Sequence, residues 1–139
     1  MENANLAAVP APYYLAATDT GVETVPGMGN DWDVWFVNNS GRDVARLRLT
    51  SNGSLDWAGA AGENAVTGGP RVDEPVPAGG VLRIDCVDWD CFFDYGIRYD
   101  LDADGFRWAP SLKCIMCDDA RYPDTLVPHL GRMGKIVRP

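Results

Sequence analysis

Asp100, Asp102 and Asp104 stand at alternate positions in YDLDADG, residues 99–105, and Gly105 follows them. Carboxylates at this spacing before a glycine make up the first half of an EF-hand calcium loop. The second half does not fit. Counting Asp100 as the first position, the twelfth needs a bidentate Glu and holds Ser111, after Pro110. The flanks alternate like strands where the loop requires helices. A hairpin turn over residues 102–105 fits better, because Asp and Gly there supply the backbone angles.

Cys86, Cys91, Cys114 and Cys117 are spaced C-x4-C and then C-x2-C. Four thiolates from two segments would suit tetrahedral zinc, the one cofactor that the sequence offers. Alternation places Cys86 inward in mid-strand, and neither pair carries the glycine usual in a zinc turn. Core thiols or one disulfide are the plainer reading. A redox pair at CIMC would need a helix starting at Cys114 to lower its pKa, and none is expected there.

His129 is the single histidine and sits in a Pro/Gly-rich stretch. It reads as an exposed imidazole, which leaves a Ser or Cys nucleophile without an anchored base. Aspartate is plentiful, yet no pair stands out as a glycosidase acid and base. Phosphate loops, zincin helices and dinucleotide fingerprints are missing from the sequence. The expectation is a chain without catalytic residues.

The aromatic and acidic residues point toward binding. Trp57 and Trp89 lie beside aspartates in turn-like contexts. Trp32 and Trp35, three apart on a strand, send only one ring inward. Exposed Trp32, Trp57 and Trp89 would anchor a protein interface, whereas buried ones would cap the core. Residues 85–104 hold seven aspartates and one arginine, Arg98. Asp88, Asp90 and Asp94 in this stretch would dock a basic partner or mimic a nucleic-acid backbone; the simpler account is a solvated face.

These residues need elements to position them. Residues 1–31 form an Ala/Pro/Gly-rich lead with one strand candidate, YYLAAT. DVWFVNN and DVARLRLT, joined by NNSG, predict an antiparallel hairpin with Ala45, Leu47 and Leu49 on one face. Residues 58–70 are small and Gly-rich and read as a surface loop. VLRIDCV and CFFDYGIRYDL predict a second hairpin. In the first of these, Leu82, Ile84 and Cys86 oppose Arg83 and Asp85; in the second, Ile97, Tyr99 and Leu101 share one face. FRW and LKCIM add two strands. Together these predict an all-β antiparallel sandwich over residues 32–121, with a small barrel as the alternative. Residues 122–139 read as an irregular tail made basic by Arg132, Lys135 and Arg138.

Of the 139 residues, 46% are hydrophobic, a proportion that suits one folded domain, and the net charge is −8. Such a charge disfavours nucleic acid and anionic membrane as partners, and favours basic ones. No apolar run reaches the roughly 20 residues that span a bilayer. Glu2 is acidic, and no basic residue precedes Arg42, so the amino end does not read as a secretory signal. The chain as given reads as cytoplasmic.

Several landmarks resemble a group of small bacterial β-sandwich proteins of no settled biochemical role. They are VNNSGRDVARLRL, Asp56-Trp57, VPAGGVLRID, FDYGIRYDLDADG and RW before LKC, spanning residues 34–114. The resemblance implies the fold and no activity. The expected function is a non-catalytic accessory or inhibitory subunit. It would dock on a larger protein through its irregular ends and exposed tryptophans, and deletion of 122–139 should leave thermal stability nearly unchanged. Two alternatives are a zinc-stabilised four-cysteine binding module and an acidic immunity or decoy protein blocking a basic nuclease or nucleic-acid-binding enzyme.

Overall fold

Strands without helices make up the part of the chain that the computed structural model describes: residues 11–24, 26–27, 29–54, 72–87, 97–112, 115 and 120–139, the side chains of 50–54 excepted. Two antiparallel sheets pack face to face as a sandwich, as the alternation predicted. In the first sheet the order is β5 (Val81–Val87), β2 (Trp32–Asn38), β1 (Tyr13–Asp19), β10 (Arg132–Val137) and β9 (Thr125–Val127). The second runs β4 (Val72–Val76), β3 (Val44–Ser54), β6 (Ile97–Ala103) and β7 (Phe106–Trp108); β8 (Ser111–Leu112) also pairs with β6. No helix among the described residues is long and apolar enough to cross a membrane.

Two corrections concern connectivity. β2 and β3 do not form a hairpin, and neither do β5 and β6; each pair passes from one sheet to the other. Alternation fixes which face of a strand is buried, but it does not choose the neighbouring strand. Asn38 makes the first crossing. Its fully buried amide Nδ2 donates to the carbonyls of Arg42 at 2.7 Å and Val76 at 3.0 Å, and its Oδ1 accepts from the Ser40 amide and hydroxyl. NNSG is therefore a corner between layers.

The ends need a further correction. β1 belongs to the expected lead and β10 to the expected irregular tail, yet they are adjacent strands within the first sheet. Leu15, Ala17 and Val137 join Val34, Phe36, Leu47, Tyr99 and Leu101 in the core between the sheets. Each large apolar side chain buried there contributes about 1.5–3 kcal/mol. The folded unit thus extends beyond 32–121 in both directions.

Bulges shift two faces. Val34 pairs with Asp85 and Trp35 with Arg83, which makes Ile84 an extra residue on β5. The parity then flips, turning Asp85 inward and exposing Cys86. On β3, Val44 pairs with Val76 and Leu47 with Glu74, so Ala45 is exposed while Leu47 and Leu49 are buried as expected. Ile97, Tyr99 and Leu101 of β6 alternate inward without interruption.

Candidate functional site

On the outer face of the second sheet, the same alternation that buries Leu47, Leu49, Leu101 and Ala103 turns the residues between them to solvent. Direct cross-strand pairing aligns Asp73 of β4, Arg48 of β3, Asp102 of β6 and Arg107 of β7 in one row. The charges along it run minus, plus, minus, plus. Arg107 Nε lies 3.5 Å from Asp102 Oδ2. Arg46, next along β3, donates from Nε and Nη2 to both oxygens of Asp73, at 2.5 and 2.6 Å. This bidentate bond holds the Asp73 carboxyl below the usual carboxylate range and raises Arg46. Farther along β6, Arg98 lies 3.7 Å from Asp100.

An open groove of about 500 Å³ runs beside this row, lined by Arg48, Asp100, Asp102, Arg107 and Trp108 among others. Among the described residues, the face carries Arg46, Arg48, Arg98 and Arg107 against Asp73, Asp100, Asp102 and Asp104, four charges of each sign. These eight charges cancel, on a chain whose net charge is −8. Groups on such a face can offer fixed donors and acceptors to a complementary surface with little long-range repulsion.

The aspartates of YDLDADG do not converge on a common point. Asp104 and Gly105 form the two-residue turn between β6 and β7, with φ of 49° and 94°. The Asp104 carboxylate accepts from the amides of Ala45 and Arg46 at 2.7 and 2.9 Å, filling the β3 bulge. Asp102 Oδ1 accepts from the Gly105 amide at 2.8 Å. The motif is a hairpin turn pinned to its neighbour strand.

Of the zinc candidates, Cys86 is exposed on the outward side of β5, opposite Asp33 of β2, and not inward as expected. Partial burial, and then the Asp33 carboxylate, push its thiol pKa up, which disfavours the thiolate a metal needs. Cys91, Cys114 and Cys117 lie outside the described residues. Among the described residues, no group of three or more His, Cys, Asp or Glu is placed to hold a metal ion.

The expected partner contacts separate. Trp32 is buried in the core between the sheets, a correction to its role as an exposed anchor. Its parity sends Trp35 to the outer face of the first sheet, where the indole donates to Thr18 Oγ1 at 2.9 Å and Arg132 lies 5.5 Å over the ring. Lys135 is buried as well, 4% exposed, donating to the Tyr122 carbonyl at 2.9 Å and lying 3.1 Å from Asp124. Arg132 and Arg138 are exposed. Trp57, Trp89, Asp88, Asp90, Asp94 and the 58–70 loop fall outside the described residues.

His129 is also corrected: it is not a free tail imidazole. It shares a 2.9 Å hydrogen bond through Nδ1 with the hydroxyl of Tyr14, whose side chain is fully buried. Burial lowers the His129 pKa and raises that of Tyr14 to about 12. Around them Ala16, Val37, Val127 and Ile136 form a second apolar cluster. Asp85 is a further correction, since the sequence reading set it on the outer face with Arg83. Half-buried inside the sandwich, it accepts from the Tyr99 hydroxyl at 2.7 Å and the Cys86 amide at 2.8 Å. Its alternation with Arg83 pointed outward, and only the bulge could have revealed it.

No protein-family model, curated protein or solved structure matches this chain.

Proposed function

We propose that this chain is a non-catalytic protein-interaction domain that docks through the outer face of its second sheet. The accessory role expected from composition is kept in its class, a protein that binds protein, with the surface moved from the ends to this face. The contacts first expected are less suited to docking, because Trp32 and Lys135 are spent on the fold. The observation that carries the reading is the neutral row Asp73, Arg48, Asp102 and Arg107, flanked by a groove, on a strongly acidic chain. Fixed charges of both signs on a rigid sheet favour a protein surface of matching pattern over a polyion of either sign. Two other described ionisable groups support it by being engaged elsewhere: Asp85 with Tyr99, and His129 with Tyr14.

The test is site-specific photo-cross-linking in native cells. A photoreactive residue replaces Arg107 on this face or, as control, Arg83 on β5 of the other sheet; both side chains are exposed. Protein adducts formed from position 107 and much less from 83 are expected. Equal trapping at the two positions, or no protein adduct at 107, would overturn the reading.

A further inference from the structure

We infer that the occupant of this face is a second copy of the same chain, docked face to face about a two-fold axis parallel to the strands. The inference rests on the reading of this face as the contact surface and supplies its partner. The row reads Asp73, Arg48, Asp102, Arg107 from β4 to β7. A two-fold axis lying between the two faces, along the gap between β3 and β6, presents the same row in reverse. Asp73 then meets Arg107 of the second copy, Arg48 meets its Asp102, and the other two contacts repeat by symmetry. Each contact of this row sets opposite charges together.

The neighbouring rung agrees. Arg46 and Asp104 are cross-strand neighbours on β3 and the β6 turn, the amide of one donating to the carboxylate of the other. Under the same axis Arg46 meets Asp104 of the second copy. An axis running across the strands would instead set Asp73 on Asp73 and Arg48 on Arg48, like on like. The pattern therefore selects one orientation out of the two.

The balance of these charges matters as much as their pattern. Two chains of net charge −8 repel each other, and four positive and four negative side chains make this face a route of approach with no excess of charge among its described residues. Four strands at about 4.8 Å spacing and strands about 20 Å long give roughly 400 Å² of face, short of the roughly 800 Å² per partner of a standard interface. The pairs stay close to solvent, where each contributes little. The association is accordingly weak, and seen at high protein concentration.

Sedimentation velocity on mixed variants tests this. Arg48→Asp alone places a carboxylate at position 48 against Asp102 of the second copy, and Asp102→Arg alone sets two arginines together. Each variant by itself should lose the dimer that the unaltered chain forms at high concentration. Mixed in equal amounts, the two should recover it, because each then supplies the charge that the other lacks. Arg107→Asp, at a side chain 86% exposed, is the variant least able to disturb folding and should weaken the dimer too; circular dichroism checks that each variant is folded. An unaltered chain that stays monomeric at every concentration, or single variants that fail to complement when mixed, would overturn the inference. If sedimentation fails while position 107 still traps a different protein, only the second copy is excluded; if position 107 traps no protein, the contact face itself is excluded.

Discussion

The Tyr99 hydroxyl donates to the Asp85 carboxylate at 2.7 Å, tying β6 of one sheet to β5 of the other through the sandwich interior. Burial raises the Asp85 pKa above its ordinary 3.8, against the lowering by the Tyr99 and Cys86 hydrogen bonds. A carboxyl raised in the folded state binds its proton more tightly there than in the unfolded chain. Its contribution to stability is then full below pH 3.8 and is lost as pH rises through the folded value. Asp85→Asn keeps an acceptor for Tyr99 and does not titrate. Its melting temperature should therefore gain on the unaltered chain as pH rises from 3.8, and a constant offset at every pH would contradict this. Tyr99→Phe removes the donor and should cost about 1–3 kcal/mol in chemical denaturation.

Asn38 is a second polar group that the fold cannot replace by a close relative. Its Nδ2 faces three carbonyls, those of Arg42, Val76 and Pro77, so an oxygen there would face oxygens. Asn38→Asp should destabilise by at least the roughly 1–3 kcal/mol of an unsatisfied buried group, and by more when charged. A urea-unfolding midpoint equal to that of the unaltered chain would show that the corner is held otherwise.

The single histidine gives a direct titration. With its pKa lowered by burial, His129 favours the neutral form in the fold, so its contribution is present above pH 6.5 and is lost as pH falls through the lowered value. The imidazole proton resonances should titrate with a midpoint below 6.5. A midpoint at or above 6.5 would mean that the ring is not held against Tyr14.

β10 is structural, and its removal should show this. A Cβ at Gly134 would lie 2.5 Å from the Ala17 carbonyl oxygen, so Gly134→Ala must push β10 away from β1. Overpacking of this kind costs about 1–3 kcal/mol. Deleting residues 132–139 takes Ile136 and Val137 out of both apolar clusters and should abolish cooperative unfolding. A truncated chain that melts at the original temperature would refute that role and restore the tail as an appendage.

Legibility in the sequence followed the regularity of each strand. Ile97, Tyr99 and Leu101 alternate without a break, and their burial could be read directly. Cys86 and Asp85 could not, because the extra residue Ile84 reverses the parity of everything after it. β10 was hidden by Gly134 and Lys135, which read as loop and solvent yet serve a close strand approach and a buried ammonium held by the Tyr122 carbonyl and Asp124. The charged row was beyond reach for another reason. Asp73, Arg48, Asp102 and Arg107 become neighbours only through strand order and register, and NNSG had suggested the wrong partner for β3. The turn at Asp104 and Gly105, being local, was read correctly.

Self-association through the contact face is tested most directly by mapping amide and indole chemical shifts as the protein is taken from dilute to concentrated solution. Shifts should move together at Arg48, Asp73, Asp102, Arg107 and the Trp108 indole, while Arg83 and Arg132 on the other sheet stay still. Movement confined to β1, β9 and β10, or no movement at any concentration, would contradict self-association through the second sheet.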